Sequence, residues 1–172
     1  MKTKTMTLCA LFIALSFVGA NLKIMGTIAF DSMPGFLGTL LLGPIYGAFI
    51  GAAGHFFTAL LSGFPLSIPV HLLVMIDMAV TMAVFGILYN KITPCNTISL
   101  KGMVLAGIAG VLLNGPVAIL LLAPLLVPVL GTAGLTAYLP VLSGAAALNI
   151  ILAFVIYHSL PAAVKNNCKV KN

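Results

Sequence analysis

Positively charged side chains occupy three short regions of this chain, and long apolar stretches lie between them. The 172 residues include eight lysines, no arginine, two aspartates and no glutamate. Seven of the lysines fall at the start, in one central gap and at the end: Lys2, Lys4, Lys91, Lys101, Lys165, Lys169 and Lys171. A soluble core of this size would need a charged surface, which this chain lacks. The pattern therefore predicts an integral membrane protein whose lysine clusters mark the cytoplasmic face.

The composition limits the class and the size of the protein. Hydrophobic residues make up 62% of the chain, which excludes a disordered chain. The apolar runs have helical length and do not alternate with polar residues as the strands of a membrane barrel do. At about 20 residues per crossing, a single domain over residues 1–172 has room for roughly five to seven helices. The lysines form no basic face, so nucleic acid is not an expected partner.

The positions of helix-breaking residues predict six helices. They cover approximately residues 6–20, 35–42, 45–61, 69–89, 101–122 and 141–164. A polar stretch over 21–34 precedes the second helix, and a loop rich in proline and glycine over 123–140 precedes the sixth. With the N-terminus inside, six crossings return every lysine except Lys23 to the cytoplasmic side. The sequence thus predicts an all-α, six-transmembrane-helix bundle with both termini cytoplasmic.

The first helix also has features of a signal peptide. Lys2 and Lys4 precede an apolar run that ends in Val18-Gly19-Ala20, which resembles a cleavage site. Cleavage would leave five helices with the same downstream topology, so the charge rule does not distinguish a retained helix from a cleaved one. We expect the helix to be retained.

Small residues recur every four positions in two of the predicted helices. The stripes consist of Gly43, Gly47 and Gly51 in the third helix and Gly102, Ala106 and Gly110 in the fifth. In a bilayer, helices associate by close packing, and small residues allow their backbones to approach. We therefore interpret both stripes mainly as packing surfaces within the bundle.

Ionisable and amide side chains are rare in the apolar sequence, and most of them lie at one depth. They are Asp31, His55, His71, Asp77, Asn114 and Asn149. With a rise of about 1.5 Å per residue, all six fall in one slab near the external face. Such groups are costly in a bilayer and commonly mark function, so they predict an outward-facing polar pocket; the alternative is hydrogen bonding between helices. His158 is expected at the inner membrane–water boundary.

The sequence lacks the patterns of an enzyme or an ATP-binding protein. It has no pair of histidines four residues apart with a glutamate, as a zinc protease requires. Neither Ser62 nor Ser143 has the preceding glycine of a nucleophile elbow. No glycine-rich phosphate loop with a following lysine occurs. We therefore expect no catalytic residue, no metal site and no cofactor.

Two segments carry a resemblance to a known family. The first helix contains Ala10-Leu11-Phe12-Ile13-Ala14, and the chain enters the third through Leu41-Leu42-Gly43-Pro44-Ile45-Tyr46-Gly47-Ala48. Together with the long outer loop and the short second helix, these segments resemble the substrate-binding S components of energy-coupling factor (ECF) vitamin transporters. The likeness covers nearly the whole chain.

The resemblance implies a location, a function and a set of partners. Such S components are multi-pass proteins of the prokaryotic plasma membrane that bind a vitamin or vitamin precursor in a pocket open to the outside. They dock on a transmembrane coupling subunit that carries two ATPases. Ala10 and Ala14 match the small-residue stripe that forms the docking surface. The S component is expected to topple in the membrane to deliver its ligand.

The residue types around the expected pocket indicate a class of ligand. An anionic ligand usually calls for arginine or lysine, and only Lys23 is near, which argues against folate or pantothenate. Two aspartates and two histidines suit a neutral or weakly basic ligand with hydroxyl groups. Phe57, Phe64 and Tyr138 are candidates for stacking on an aromatic ring; the alternative for each is packing against lipid or the core.

Two further runs are similar to the branch of the family associated with α-ribazole, a cobalamin precursor: Gly54–Pro65 and Leu113–Pro116. α-Ribazole is a dimethylbenzimidazole nucleoside, so it fits the inferred chemistry. The expected substrate-binding residues are Asp31, His55, Phe64, His71, Asp77, Asn114, Tyr138 and Asn149. His71 and Asp77 lie six residues apart on different helix faces, so we do not expect both to contact one ligand atom.

Other functions remain open at the level of the sequence. The chain could be an S component for another vitamin, such as pantothenate, folate or riboflavin. It could be a small autonomous membrane transporter or channel, although the inner half has few polar groups for a continuous path. A metal-dependent intramembrane enzyme using His55, His71 and Asp77 would contain zinc. In an assembly subunit without a ligand, the polar slab would only join helices.

Overall fold

The computed structural model describes residues 3–21, 23–24, 28–94 and 97–165, which form a bundle of helices. Its helical elements are α1 (Thr3–Asn21), α2 (Met33–Leu42), α3 (Pro44–Leu61), α4 (Ile68–Ile92), α5 (Leu100–Leu112), a π-helical turn (Leu113–Val117) and α6 (Ala118–Ser159). The two-residue strands β1 (Lys23–Ile24) and β2 (Ile28–Ala29) pair antiparallel after α1. The all-α prediction is confirmed. Lys2, Lys169 and Lys171 of the charge pattern lie outside the described residues.

Four helical stretches of the described chain are long and apolar enough to cross a membrane: α1, α3, α4 and the 60-residue stretch Leu100–Ser159. A straight 60-residue helix would be about 90 Å long, three times the roughly 30 Å hydrocarbon core, so within a bilayer this stretch must fold back. The ten-residue α2 is about 15 Å long and too short to cross alone. The six-crossing count and the cytoplasmic position of both termini stay predictions.

The predicted loop over 123–140 is wrong, because the chain is helical on both sides of Gly131. Within α6, this residue alone has non-helical dihedral angles (φ 69°, ψ 170°), which a residue without a Cβ adopts readily. Pro124, Pro128 and Pro140 lie inside the helical segments. Membrane helices tolerate proline where neighbouring helices and local adjustments compensate for the lost backbone hydrogen bond. The proline and glycine content of residues 123–140 therefore predicted a longer break in the helix than the chain contains.

Local sequence signals explain where the other helices begin and end. Gly43 alone joins α2 to α3, with φ 100°, and Pro44 occupies the first turn of α3, where its fixed φ suits a helix. The hydroxyl of Ser67 accepts a hydrogen bond from the amide of Val70 (3.4 Å) at the start of α4. Ser99 caps α5 in the same way. These breaks fall close to the predicted ones.

The short helix α2 lies at the centre of the bundle, where seven of its ten residues are buried. Phe36 of α2 packs edge-on against Phe85 of α4, with ring centroids 5.0 Å apart. Phe154 of α6 lies 5.5 Å from Phe85 and 6.1 Å from Tyr89. Helices α3, α4 and α6 all contact α2. A helix too short to span a membrane thus becomes the core against which the longer helices pack.

The small-residue stripes lie where helices approach closely, as predicted. A Cβ atom at Gly47 would collide with the side chain of Thr39 on α2. A Cβ atom at Gly110 would lie 2.8 Å from Ile150 on α6, and Ala106 of the same stripe is fully buried. Larger side chains at these positions would force the helices apart.

A second apolar cluster forms around the turn at Gly131. Its buried members are Val70, Ile119, Leu122, Leu126 and Leu135. They come from the start of α4 and from both sides of the turn, so the two arms of α6 pack together over α4. The turn thereby folds the long apolar stretch back on itself.

Candidate functional site

A cavity of about 150 Å³ lies between the segment that precedes α2 and the helices around it. It is lined by Asp31, Ser32, His55, Val74, Met78, Asn114, Leu142, Ala145, Ala146 and Asn149. Four of the eight predicted substrate-binding residues, namely Asp31, His55, Asn114 and Asn149, therefore share one cavity. They come from the pre-α2 segment, α3, the π-helical turn and α6, so the fold brings together groups that are far apart in sequence.

A chain of polar contacts runs from Asp31 into the loop between α3 and α4. Oδ2 of Asp31 lies 3.6 Å from Nδ1 of His55, and both side chains are mostly buried. Nε2 of His55 is 3.0 Å from Nδ1 of His71, and the two rings are stacked. Nε2 of His71 is 2.8 Å from the carbonyl oxygen of Pro65. The two predicted histidines are thus in direct contact, although only His55 lines the cavity.

The hydrogen-bond donors and acceptors in this series of contacts determine which histidine nitrogens carry a hydrogen. The carbonyl of Pro65 only accepts, so Nε2 of His71 carries a hydrogen and donates it. Nδ1 of a neutral His71 then accepts from Nε2–H of His55. When Nε2 of a neutral His55 carries the hydrogen, its Nδ1 carries none, so the contact with Asp31 is an ion pair only if this second nitrogen is protonated as well.

Asn149 joins the cavity to the start of α2. Its Oδ1 accepts a hydrogen bond from the backbone amide of Met33 (2.8 Å), and its Nδ2 donates to the carbonyl of Ala145 one turn earlier in α6 (2.9 Å). The first amides of a helix have no partner within the helix, so Asn149 satisfies one of them. This residue is 1% exposed, and the bond between α2 and α6 is the interhelical role that the sequence left open as the alternative.

Asn114 reaches the cavity from the π-helical turn. Pro116 lies inside this turn, and a proline within a helix removes a backbone hydrogen bond and crowds the preceding turn. A π-helical turn is one way in which a helix accommodates such a disruption, and these turns are frequent at functional sites. The sequence motif Leu113–Pro116 is therefore the segment that presents Asn114.

Phe64 does not line the cavity but contacts His71, which in turn contacts the lining residue His55. Its ring is edge-on to the ring of His71, with centroids 5.8 Å apart. Phe64 and Leu66 have positive φ values of 50° and 72°, which are uncommon for residues with side chains. The hydrogen bond from His71 to Pro65 lies between these two residues and fixes the loop over the site. Phe64 and His71 thus support the cavity wall and do not line it.

Asp77 is buried beside the cavity but does not line it, whereas Val74 and Met78 on the same helix do. None of the described residues donates a hydrogen bond to its Oδ2. A buried carboxyl oxygen without a partner is energetically costly. The described helices around Asp77 therefore leave this oxygen without a hydrogen bond.

The aromatic candidates Tyr138 and Phe57 lie away from the cavity. Tyr138 packs against the second apolar cluster around Gly131, because the chain is helical where a loop was predicted. Phe57 is 45% exposed on α3 and packs edge-on against Phe56. For Phe57, packing toward lipid was the alternative stated from the sequence. The structure gives neither ring a place in the cavity wall.

Six lining residues were missed at the level of the sequence: Ser32, Val74, Met78, Leu142, Ala145 and Ala146. Five of them are apolar and resemble every other core residue in the sequence. Ser32 carried a usable signal, because a serine directly before Met33-Pro34 is typical of a helix start. Among the described residues, no group of three or more His, Cys, Asp or Glu side chains could hold a metal ion.

The docking candidates Ala10 and Ala14 are exposed on α1. The opposite face of α1 carries Cys9, Phe12 and Ser16, which are buried. This face packs on α3 and α2. The predicted small-residue stripe is therefore directed away from the bundle.

Comparison with known families gives one match. A family model described as ECF transporter, substrate-specific component, matches residues 4–161. This span includes all of α1 except Thr3, and all residues that line the cavity. Comparisons with curated proteins and with solved structures found no matching protein.

Proposed function

This chain belongs to the family of ECF transporter substrate-specific components, and from that premise we propose that the cavity around Asp31 and His55 binds the imported substrate. Membership makes the chain a transporter subunit and not an enzyme. Together with several apolar helices, it makes the chain a multi-pass protein of the cell membrane. The family implies a small-molecule substrate and association with an ECF module of a transmembrane coupling subunit and ATPases.

The presence of four polar side chains in one cavity is the main support for this proposal. Four polar side chains that are far apart in an apolar chain meet here: Asp31, His55, Asn114 and Asn149. Because burying polar groups in a membrane protein costs free energy, such residues commonly mark a functional site. Small-molecule sites combine an apolar lining with a few well-placed polar groups. The cavity has this composition, since Val74, Met78 and Leu142 line it beside the polar groups.

The proposed topology has six crossings with both termini in the cytoplasm. The distribution of the lysines supports it, because Lys91 and Lys101 flank the break between α4 and α5 while the cavity residues lie at the opposite ends of these helices. In this orientation the cavity lies toward the outside, where an importer meets its substrate.

The proposed docking surface for the coupling subunit includes Ala10 and Ala14. Their exposure on α1 supports this assignment, because a stripe without side-chain bulk lets a partner helix approach closely in lipid. Replacing Ala10 with Phe should abolish uptake in cells that contain the ECF module and should leave substrate binding by the isolated protein unchanged. Leu11→Phe, at an exposed neighbouring position, is the control. Equal loss of binding and uptake in Ala10→Phe would show that this surface is not a docking site.

The proposed substrate is a neutral or weakly basic aromatic nucleoside, with α-ribazole as the specific candidate. The cavity residues Asp31, His55 and Asn114 offer acceptors and donors to hydroxyl groups, and the described lining includes no lysine that would pair with an anionic ligand. The motifs Gly54–Pro65 and Leu113–Pro116 contribute His55 and Asn114 to the cavity, and these motifs underlie the similarity to the α-ribazole branch. The alternative is a different vitamin, such as riboflavin, pantothenate or folate, in the same cavity. An autonomous transporter is the remaining alternative.

The cavity volume predicts that binding requires movement. About 150 Å³ is less than the roughly 300–1,000 Å³ typical of sites for drug-sized ligands. The segment 30–32 and the loop 62–67 both border the site through the contacts of Asp31, His71 and Pro65. We expect a nucleoside-sized ligand to displace one of them.

Thermal unfolding with a panel of vitamins and nucleoside precursors tests the substrate proposal. A ligand that binds only the folded protein should stabilise it by about 2.7 kcal/mol at a hundredfold excess over its Kd. The protein is purified in detergent, and His55→Gln is measured beside Phe57→Leu as a control outside the cavity. A single strong hit that His55→Gln loses and Phe57→Leu keeps would support the proposal. A hit unaffected by His55→Gln would place the substrate elsewhere.

A further inference from the structure

An apolar groove of about 670 Å³ lies between α5 and the last part of α6. Its walls include Met103, Val104 and Val111 on one side and Ile151, Phe154 and Val155 on the other. It shares no lining residue with the polar cavity. Because α1 packs on α2 and α3, the groove is also separate from the proposed docking surface.

The two ends of the groove differ in polarity. Leu100 lies at one end together with His158 and Ser159, whereas Leu112 and Ala147 lie at the other. Lys101 directly follows Leu100 and is exposed. The ammonium group of Lys165 is held at the same end, because it donates a hydrogen bond to the carbonyl of His158 and lies over the ring of Tyr157. The groove, which is otherwise apolar, therefore ends at two positive charges.

The length of the groove matches one leaflet of a bilayer. From Leu100 to Leu112, α5 rises about 18 Å, whereas half of the hydrocarbon core is about 15 Å thick. A helix from a partner subunit would continue across the whole core, but this groove ends near its middle. The match in length and the charge at one end favour a lipid as the occupant.

We propose that this groove binds one anionic phospholipid, with an acyl chain along α5 and α6 and the phosphate near Lys101 and Lys165. Gly107 lies on the groove floor, where a Cβ would meet Ile150 and Phe154 only at ordinary contact distances of 3.6 and 3.7 Å. The absence of a side chain there leaves the groove open. The lipid would fill the space between α5 and the last part of α6, which also carries Asn149.

Native mass spectrometry of the detergent-purified protein tests the proposal with phosphatidylglycerol and phosphatidylcholine of identical acyl chains. We expect wild-type protein to retain phosphatidylglycerol roughly thirtyfold more strongly, the factor expected from two lysines near an anionic headgroup. Gly107→Leu should reduce the retention of both lipids by filling the groove. The double variant Lys101→Gln/Lys165→Gln should remove the preference between the headgroups.

Matched controls separate these effects from changes in fold or total charge. Gly144→Leu adds the same side chain to α6 in open space, and Lys91→Gln removes a lysine at the same end of the bundle but outside the groove. Both should behave as wild type. Ala147→Leu fills the other wall of the groove and replaces Gly107→Leu if that variant does not fold. Equal retention of both lipids by wild-type protein would overturn the proposal. So would a Gly107→Leu variant that keeps its lipid but no longer binds the coupling subunit, which would assign the groove to a protein partner.

Discussion

The two halves of α4 have opposite surroundings in the same bundle. In the first half, Val74 and Met78 face the polar cavity, and His71 bonds to His55. In the second half, Met82, Phe85 and Tyr89 are buried in the aromatic core around α2. The histidine and the aspartate of this helix thus lie in its first half, while its second half packs among aromatic rings.

This difference explains how a small membrane protein can hold a polar site without forming a pore. A channel needs polar groups that continue from one face to the other. Here the rings of Phe36 and Phe154 both pack against Phe85 in the second half of α4. The packed half provides stability, and the polar half contains the proposed binding site. Substitutions in the two halves should therefore separate stability from substrate binding.

The largest effect on stability is expected in the packed half. Phe85→Ala should lower the free energy of unfolding by about 3–5 kcal/mol, because it removes a fully buried ring and leaves a cavity. Chemical unfolding in detergent measures the loss, with Ile87→Ala, 44% exposed on the same helix, as the control. Substrate affinity of the folded protein should stay the same. A large loss of affinity at unchanged stability would contradict the separation of the two halves.

The largest effect on binding is expected in the polar half. Asp31→Asn should weaken substrate binding by about 1.5–3 kcal/mol, roughly ten- to a hundredfold, because it removes a charge-assisted contact and disrupts the pairing with His55. Titration with the substrate identified by the panel measures this change. Asp77→Asn is the same substitution outside the cavity wall and should have a smaller effect on affinity. The reverse order would make Asp77 the group that contacts the substrate.

The two cavity amides should differ in their effects on stability. Asn149→Ala leaves the amide of Met33 without its acceptor and should cost about 1–3 kcal/mol of stability. Asn114→Ala should change stability by no more than about 0.5 kcal/mol, because its side chain forms no hydrogen bond to the described residues, and it should still weaken binding. Unfolding and substrate titration of both variants provide the comparison. Equal stability of the two variants would mean that the bond from Asn149 to α2 contributes little.

A smaller effect is expected at the turn between the arms of α6. Gly131→Ala should lower stability by about 1–2 kcal/mol, because its positive φ disfavours a Cβ. Gly144→Ala, on the same element with open space around it, should be neutral or stabilising by up to about 1 kcal/mol. Thermal unfolding of the pair measures the difference. Equal stability of the two variants would show that the chain does not need a glycine to turn there.

The sequence predicted the helices best where a single residue type dictates the backbone. Gly43-Pro44 and Ser99 end or begin helices through their own dihedral angles and hydrogen bonds, so these breaks were placed well. The loop over 123–140 was misplaced because the effect of a proline depends on the helices that surround it. Only Gly131, with its positive φ, marks the true break.

The candidate site, like the helix boundaries, could be predicted only in part from the sequence. The energetic cost of polar side chains in an apolar environment singled out six residues, of which His71 and Asp77 do not line the cavity. The other four do: Asp31, His55, Asn114 and Asn149. Tyr138 does not line this cavity, because its position depends on the fold around Gly131, and its role in binding stays a prediction. Val74, Met78 and Leu142 were missed, since an apolar side chain in a cavity wall looks no different in sequence from one in the core.

The sequence by itself determined that this chain is a helical membrane protein and that it resembles the ECF substrate-specific components. Hydropathy, lysine positions and short motifs are local properties, and they do not depend on which helices meet. Tertiary structure alone decided that α2 is the buried centre, that His71 contacts His55, and that Asn149 accepts a hydrogen bond from the start of α2. Those relations depend on distances between segments far apart in the chain, and close packing of the helices sets these distances.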